Sequence, residues 1–249
     1  MIEFCVLTLF PELFEPFWNH GIIRRAVQSN QIRPQTMNIR DHARGRHRVT
    51  DDRPYGGGCG MVMKPEPLAA ALKAATERMP NASTLLLSPQ GKRFDQPMAQ
   101  MLAAGQDLIL VCGRYEGVDE RFVDRFVDLE LSIGDFVLTG GELGAMVVID
   151  AVTRLLPGVL GNADSAGSDT FSDGLVEHAH YTRPPAIDGD RVPEILLSGN
   201  HREIDRWRRE TGLMRTLLKR PDLLERRTFT PEERVILEKW RRNIDRFLE

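Results

Sequence analysis

The feature that most limits the possible folds is an alternation of short apolar runs and helical patterns over about the first 160 residues. The apolar runs are rich in leucine, valine and isoleucine, which is typical of buried strands. The predicted strands are Glu3–Leu9, Thr36–Arg40, Ser83–Leu87, Leu108–Cys112 and Leu129–Ile133. The predicted helices are Pro11–Ser29, Pro65–Met79, one opened by Asp95, Val118–Phe126 and Gly141–Leu156. This alternation predicts an α/β fold with a largely parallel sheet covered by helices.

The pattern changes after residue 160. Residues 161–170 are small and polar and include no large apolar side chain, which predicts a flexible linker. Farther on, Asn200 is placed to cap one helix, and the sequence Thr-Pro-Glu-Glu from Thr230 is a capping box that opens another. Their expected inward positions are Ile204, Trp207, Thr211, Met214 and Leu218, then Ile236, Trp240, Ile244 and Phe247. We therefore expect a domain of residues 1–160, a linker of residues 161–170, and a small mainly α-helical domain of residues 171–249.

Charge is distributed unevenly along the chain. The formal net charge is −3, but residues 201–249 contain 14 Lys/Arg and 10 Asp/Glu, so they carry +4. A second basic stretch runs from Arg40 to Arg48. Local basic patches on an acidic protein suit a polyanionic partner. Solvated helix faces explain the same charges equally well.

Several classes of protein are disfavoured by composition. The first residues have no basic segment before the apolar run, and Pro11 and Glu12 interrupt that run, so a signal peptide is not expected. No stretch approaches the roughly 18 apolar residues of a membrane span. The cysteines, Cys5, Cys59 and Cys112, are odd in number and widely spaced, which favours reduced thiols in a cytoplasmic protein.

Three predicted strand-end segments are the best candidates for a ligand site. They begin at Ser88 (SPQG), Cys112 (CGRYEG) and Ser132 (SIGDFVLTGGE). Ligands of open α/β sheets bind outside the carboxyl ends of the strands, and glycines there let a ligand approach the backbone. The G-x-G-x-x-G and P-loop patterns are missing. His178 and His180 form a possible metal pair, but without further ligands a structural role is favoured and no protein-held metal is expected.

The motifs LLLSPQG, VCGRYEGVDER, SIGDFVLTGGEL, PYGGGCGMVMKPEPL, FPELF and HYTRP resemble those of the bacterial tRNA (guanine-N1)-methyltransferases, which belong to the knotted SPOUT superfamily. The resemblance covers essentially the whole chain. It implies a deep trefoil knot over about residues 83–140, an exception to the rule against threaded loops. It also implies that S-adenosylmethionine binds in the knot and that the enzyme is a homodimer whose active sites are shared between chains.

The resemblance also implies which residues bind S-adenosylmethionine. They are Leu87, Ser88, Pro89, Gln90, Gly91, Gly113, Tyr115, Glu116, Ser132, Ile133, Gly134, Asp135, Phe136, Val137, Leu138, Gly140 and Gly141. Three positions depart from the family pattern. Gly144 replaces a usual proline, Cys59 interrupts the glycine cluster, and Thr170 stands where serine is common. None of these changes removes a chemical group.

The implied reaction is methylation of N1 of the guanosine at position 37 of tRNA, immediately 3′ of the anticodon. Because N1 carries a proton and its loss sends charge toward O6, the reaction needs a base and a nearby donor. The resemblance assigns these roles to Asp169 and Arg154, whereas the residues alone leave Asp164 and Asp173 as rival bases. Mg²⁺ is a candidate activator without a recognisable protein site. Expected tRNA contacts are Arg24, Arg44, Arg46, Ser165, Thr170, His180 and Tyr181.

Two alternatives remain open at this point, one within the enzymes and one from another class of protein. One is a knotted methyltransferase that modifies a ribose 2′-hydroxyl or ribosomal RNA. The other is a non-catalytic RNA-binding protein that kept the fold. A small-molecule methyltransferase is disfavoured because the basic helical segment would have no obvious task.

Overall fold

The computed structural model describes residues 1–160, 169–225 and 227–248. The chain divides into two compact units, Met1–Ala163 and Asp164–Glu249. Ser165 and Asp164, which the sequence analysis considered, lie outside the described residues.

A five-stranded parallel sheet forms the centre of the first unit. Its strands are β1 (Ile2–Thr8), β2 (Ile32–Asn38), β5 (Ser83–Arg93), β6 (Leu108–Cys112) and β7 (Leu129–Ser132), in the order β2-β1-β6-β5-β7. The short strands β3 (Asp51–Asp52) and β4 (Val62–Met63) pair antiparallel beside it. The predicted mixed α/β fold with a mainly parallel sheet is confirmed.

Helices cover both faces of this sheet. They are α1 (Phe14–Trp18), α2 (Gly21–Gln28), α3 (Pro65–Thr76), α4 (Gln96–Ala103), α5 (Glu120–Phe126) and α6 (Glu142–Thr153). Because side chains alternate along a strand, each strand feeds two cores. Phe4 and Val6 pack with α2, α4 and α6, whereas Cys5 and Leu7 pack with α3 and α5. Burial on both faces explains the uninterrupted apolar runs of the sequence.

The structure corrects three of the predicted elements. The strand expected over Thr36–Arg40 is β2, which begins at Ile32 and ends at Asn38, where a 3-10 turn (Ile39–His42) follows. Its position at the edge of the sheet allows the strand to include Pro34.

The single helix expected over Pro11–Ser29 is a short 3-10 turn (Pro11–Leu13) followed by α1 and α2. The helical backbone is interrupted at Asn19 and His20, and Gly21, which opens α2, has a φ of +59°. The predicted strand Ser83–Leu87 continues to Arg93, with a register shift between Leu87 and Lys92. Close pairing with β7 makes this extension possible, because Gly91 lies against the backbone of Glu130 and a Cβ there would be only 2.5 Å from its carbonyl carbon.

Helices dominate the regular structure of the second unit. They are α7 (Glu194–Leu197), α8 (His201–Lys219), α9 (Asp222–Glu225) and α10 (Pro231–Leu248), beside the hairpin strands β8 (Ala186–Ile187) and β9 (Asp190–Arg191). Both predicted helix starts are confirmed. Asn200 Oδ1 accepts from the N–H of Glu203, while Thr230 and Glu233 exchange two hydrogen bonds of 3.2 and 2.9 Å.

The inward face of α8 differs from the prediction. Its buried residues are Ile204, Gly212, Leu213 and Thr216, so Leu218 points outward with 73% of its surface exposed. In α10, Ile236 is buried against Leu175 and Leu213, whereas Phe247 is exposed. Only some of the apolar residues predicted to face inward in α8 and α10 are therefore buried in the small core of this unit.

Crossing a bilayer needs a long, strongly apolar helix, and none of the helices in the described ranges meets both conditions.

Candidate active site

One cavity of about 510 Å³ lies at the carboxyl ends of β6 and β7 and beside residues 86–90 within β5. Its volume is within the roughly 300–1,000 Å³ of small-molecule sites. Its lining includes all three segments chosen from the sequence. The predicted residues on its walls are Leu87, Ser88, Pro89, Gln90, Gly113, Tyr115, Glu116, Ser132, Ile133, Gly134, Phe136, Val137, Leu138, Gly140 and Gly141.

The structure does not bring two predicted residues to this lining. Gly91 serves the close pairing of β5 with β7, and Asp135 lies in the loop after β7 without appearing on the cavity wall. Several wall residues were not predicted from the sequence, among them Arg114, Val118, Thr139 and Gly144. All four lie within or directly beside the quoted motifs, so the motif boundaries were the available signal.

The turn after β6 is shaped by left-handed backbone and by the glycine cluster that precedes α3. Tyr115 has a φ of +62°, and Gly117 closes the turn by donating its N–H to the carbonyl of Arg114 at 3.2 Å. The Glu116 N–H donates to Met61, and a Cβ on Gly60 would overlap the Glu116 side chain. The glycine cluster therefore supports the turn that presents Glu116 at the cavity.

The loop after β7 is fixed against that turn. Ser132 Oγ accepts from the N–H of Gly134 at 3.2 Å. The N–H of Gly141 donates to the carbonyl of Gly113 at 2.9 Å, and a Cβ on Gly141 would lie 2.8 Å from the Cα of Cys112. Glycine at 141 is thus required for the two loops to approach each other.

A buried polar network joins the same loops to β1. Glu142, at the start of α6, accepts hydrogen bonds from Thr8 Oγ1 at 2.8 Å and from Arg114 Nε at 3.2 Å. Arg114 also donates to the carbonyl of Thr139, and its guanidinium lies 4.3 Å from the centre of the Phe10 ring. The network links three segments of the cavity wall through one carboxylate.

The two residues predicted to be catalytic, Arg154 and Asp169, belong to different units. Arg154 is the C-terminal capping residue of α6 and is half-buried. Asp169 lines a second cavity, of about 600 Å³, within the second unit. The other residues on this wall are Asp173, Leu175, Val176, Glu177, His178, His180, Asp205, Arg208, Arg209 and Gly212.

The turn that begins at Asp169 is held by its own hydrogen bonds and by α8. The carbonyl oxygen of Asp169 accepts a hydrogen bond from the N–H of Ser172 at 3.0 Å. The N–H of Phe171 donates to the carbonyl oxygen of Leu175 at 2.8 Å. Asp173 pairs with Arg209 of α8 at 2.5 Å. The turn is therefore ordered by contacts within the second unit.

The remaining predicted RNA contacts are spread over both units. Arg24, Arg44 and Arg46 are exposed on the first unit. On the second, Thr170 Oγ1 accepts from the N–H of Glu177, His180 pairs with the Glu177 carboxylate at 3.0 Å, and Tyr181 is half exposed.

Cys59, one of the departures from the family pattern, is exposed, while Cys5 and Cys112 are buried. Burial raises the pKa of the Cys5 thiol to about 11. Gly144 lies on the cavity wall, where a Cβ would meet the side chain of Leu87 at 3.3 Å.

Comparison with known proteins identifies the family of this chain. The family model described as tRNA (Guanine-1)-methyltransferase TrmD matches residues 2–226. A relative from Desulfatibacillum aliphaticivorans, named tRNA (guanine-N(1)-)-methyltransferase, is 56% identical over 98% of this chain and 93% of its own length. Relatives with the same name from Syntrophotalea carbinolica and Geobacter sulfurreducens are 54% and 55% identical, over 97% and 95% of this chain and 98% and 96% of their own lengths. The chain belongs to the tRNA (guanine-N1)-methyltransferase family of enzymes.

Proposed function

We propose that this enzyme transfers a methyl group from S-adenosylmethionine to N1 of the guanosine at position 37 of tRNA, immediately 3′ of the anticodon. The observation that carries the proposal is the meeting of three strand-end segments around one cavity in a chain of this family. The C-terminal end of a parallel sheet is where such folds bind their ligands.

The cavity fits the proposed methyl donor. Glycines on its wall, such as Gly113 and Gly140, expose backbone groups that can hydrogen-bond to an adenine. Glu116 brings a carboxylate that suits a ribose hydroxyl or a positively charged sulfonium, and Leu87 and Ile133 add apolar surface. When bound, S-adenosylmethionine supplies an electrophilic methyl group on its sulfonium sulfur.

Asp169 and Arg154 divide the work on the guanine in this proposal. The Asp169 carboxylate accepts the N1 proton, and the Arg154 guanidinium donates to O6, where negative charge develops. The ordered turn around Asp169 supports its role, because a base needs a fixed position. The end of the buried helix α6 gives Arg154 a rigid support.

The proposal includes an organisation of domains and subunits. Residues 1–160 form a catalytic domain with a trefoil knot, and residues 171–249 form a helical tRNA-binding domain. The linker predicted over residues 161–170 lies outside the described residues except for Asp169 and Thr170. Two copies form a homodimer with shared active sites. Exposed apolar side chains beside the cavity, including Val137 at 84% and Leu143 at 58%, support such an interface.

The tRNA anticodon stem-loop is the proposed partner, bound in the cytoplasm with the target base flipped out of its stack. Arg24, Arg44 and Arg46 contact its phosphates, while Thr170, His180 and Tyr181 lie near the target base; Ser165, predicted with them, is outside the described residues. Because the three arginines bind phosphates through their positive charge, we expect the affinity for tRNA to fall as salt is added. Mg²⁺ is a candidate activator that would help Arg154 to acidify the guanine, and no protein-held site is assigned to it.

The direct test uses tritiated S-adenosylmethionine, Mg²⁺ and two unmodified tRNA transcripts. One transcript has guanosine at position 37, and the control has adenosine there. Label on the guanosine transcript alone, mapped to N1-methylguanosine, is the expected result. Label on both transcripts, or on a ribose, would reject the proposed position. Donor binding without label would favour the non-catalytic alternative.

A second experiment tests the assignment of the base. Asp169→Asn is expected to slow single-turnover methylation by about a hundredfold or more, the range of general-base effects. The matched control is Asp205→Asn, because Asp205 lines the same cavity and is exposed. Near-parental rates for Asp169→Asn would end the assignment. For Arg154→Gln we expect slower chemistry with little change in donor binding.

A further inference from the structure

Two side chains that the proposed reaction does not use, Glu177 and His178, converge with the proposed RNA contact His180 in the second unit. Glu177, His178 and His180 each offer one ligand atom, and these atoms lie within 4.8 Å of one another. The shortest approach is 3.0 Å, between Glu177 Oε1 and His180 Nε2. Among the described residues this is the one group of at least three His, Cys, Asp or Glu side chains with such spacing. The sequence pattern indicates only the two histidines, and the structure adds Glu177 as a third possible ligand.

The backbone that presents these side chains is fixed independently of them. The N–H of Val176 donates to Thr216 Oγ1 at 2.9 Å, and the N–H of Glu177 donates to Thr170 Oγ1 at 3.2 Å. The carbonyl of Glu177 accepts from Arg215 Nε at 2.9 Å. The segment is therefore anchored to α8 on one side and to the Asp169 turn on the other. Such anchoring reduces the ordering cost that a bound ion would otherwise meet.

The orientation of His178 leaves a suitable nitrogen for an ion. Its Nδ1 lies 3.0 Å from the carbonyl oxygen of Ala179. A proton on Nδ1 that is donated to this carbonyl leaves the Nε2 lone pair free to bind, an arrangement common among metal-binding histidines. The rings of His178 and His180 are 4.6 Å apart, so both can turn toward a shared point.

The charges around the cluster permit a cation. The cavity of about 600 Å³ is lined by four carboxylates and two guanidinium groups, which gives it an excess of negative charge. The guanidinium groups are themselves engaged, since Arg208 pairs with Asp205 at 3.3 Å and Arg209 with Asp173 at 2.5 Å. They therefore do not present unbalanced positive charge to the histidines.

We propose that Glu177, His178 and His180 bind a divalent transition-metal ion of the zinc class, with the remaining coordination positions open to water. Imidazole nitrogen with one carboxylate oxygen suits zinc, nickel and copper, whereas Mg²⁺ prefers oxygen ligands. The site is separate from the action of Mg²⁺ on the guanine, and metal binding here does not depend on the proposed reaction.

Titration of the full-length, metal-stripped protein with Zn²⁺ against a chromophoric chelator tests the site. We expect one equivalent to bind per chain, and His178→Ala to weaken binding by at least about tenfold, because losing even an outer-shell partner costs this much. The matched control is His201→Ala, an exposed histidine at the start of α8 in the same unit. It is expected to bind as the parent does. Equal affinity in His178→Ala and the parent, or equal losses in His178→Ala and His201→Ala, would overturn the proposal.

A second variant and a local signal guard against misfolding. Glu177→Gln keeps the size of the side chain and all three backbone anchors but removes the charged ligand, so it should also bind Zn²⁺ at least about tenfold more weakly. Trp207 lies 6.1 Å from His178, ring centre to ring centre. Quenching of tryptophan fluorescence by Ni²⁺ is therefore expected in the parent and in Trp18→Phe, and is expected to shrink in Trp207→Phe. Unchanged quenching in Trp207→Phe, or in Glu177→Gln, would contradict binding at this cluster.

Discussion

Arg114 Nη2 lies 3.0 Å from Glu142 Oε2, and this ion pair connects the end of β6 to the start of α6. Only 2% of the Glu142 side chain and 20% of the Arg114 side chain are exposed. Water has almost no access to the Glu142 carboxylate, and the pair fixes the cavity wall from within the protein.

The first prediction concerns this pair. Glu142→Gln should destabilise the enzyme by about 3 kcal/mol, because it leaves a largely buried guanidinium without its counter-charge. Urea unfolding at neutral pH measures the loss. Asp41→Asn removes the carboxylate of an exposed pair with Arg48 and should change stability by no more than about 1 kcal/mol. Similar effects of the two substitutions would show that burial does not set the strength of the pair.

The second prediction concerns the close approach of the two cavity loops. Gly141→Ala places a methyl group 2.8 Å from the Cα of Cys112, so it should cost about 1–3 kcal/mol and weaken binding of S-adenosylmethionine. Gly113→Ala is the control for stability, because its Cβ would meet nothing nearer than 3.6 Å. Thermal unfolding and calorimetric titration of the donor measure the two effects. A fully stable Gly141→Ala variant would contradict the tight contact.

The third prediction is a dependence of stability on pH at Glu233. Burial raises the pKa of this carboxyl, but hydrogen bonds from Arg227 and the Thr230 N–H, with the charge of Arg209, outweigh it and lower the pKa below 4.5. A lowered folded pKa contributes stability above about pH 4.5, and this stability is lost as the pH falls through the folded pKa.

Glu233→Gln should therefore cost about 2 kcal/mol at neutral pH and progressively less in acid. Urea unfolding followed by Trp240 fluorescence reports on this unit, and the exposed neighbour Glu232→Gln provides the control. A penalty that stays constant down to about pH 3 would rule out the ionised carboxylate as its source.

The fourth prediction concerns the three cysteines. Burial raises the pKa of Cys5 to about 11 and that of Cys112 well above its usual value, with the charge of Glu142 adding to the effect at Cys112. Because the thiolate is the reactive form, only exposed Cys59 should react rapidly with a disulfide reagent at about pH 8. All three should react after denaturation. Fast reaction of two thiols in the native enzyme would contradict the burial of one of them.

Local signals explain which elements the sequence predicted well. The Thr230–Glu233 capping box spans four residues, and its two hydrogen bonds need no distant partner. The run Leu108–Cys112 is apolar throughout because both faces of β6 are buried, so its bounds were predicted exactly as observed. The strand-end motifs around the cavity were also evident from glycine and polar residues.

Non-local contacts explain what the sequence did not predict. The continuation of β5 beyond Leu87 depends on β7, which lies about 40 residues later in the chain. Gly91 of β5 approaches the backbone of that strand closely. The pairing of Arg114 with Glu142 and the convergence of Glu177 on two histidines likewise require the folded chain. No periodicity in the sequence encodes such distances.

The extension of β5 has a consequence for how this protein can change. In most α/β enzymes the segment that meets the ligand is a connection whose length can vary without disturbing the sheet. Here Ser88–Gly91 lies inside a strand that resumes its pairing with β7 at Lys92. Leu87 and Lys92 both pair with Leu131, so the two ends of this bulged segment are fixed by β7. A change of length there must be absorbed within the bulge, because otherwise Lys92 and Arg93 would leave their register, whereas a substitution alters the cavity without disturbing the sheet.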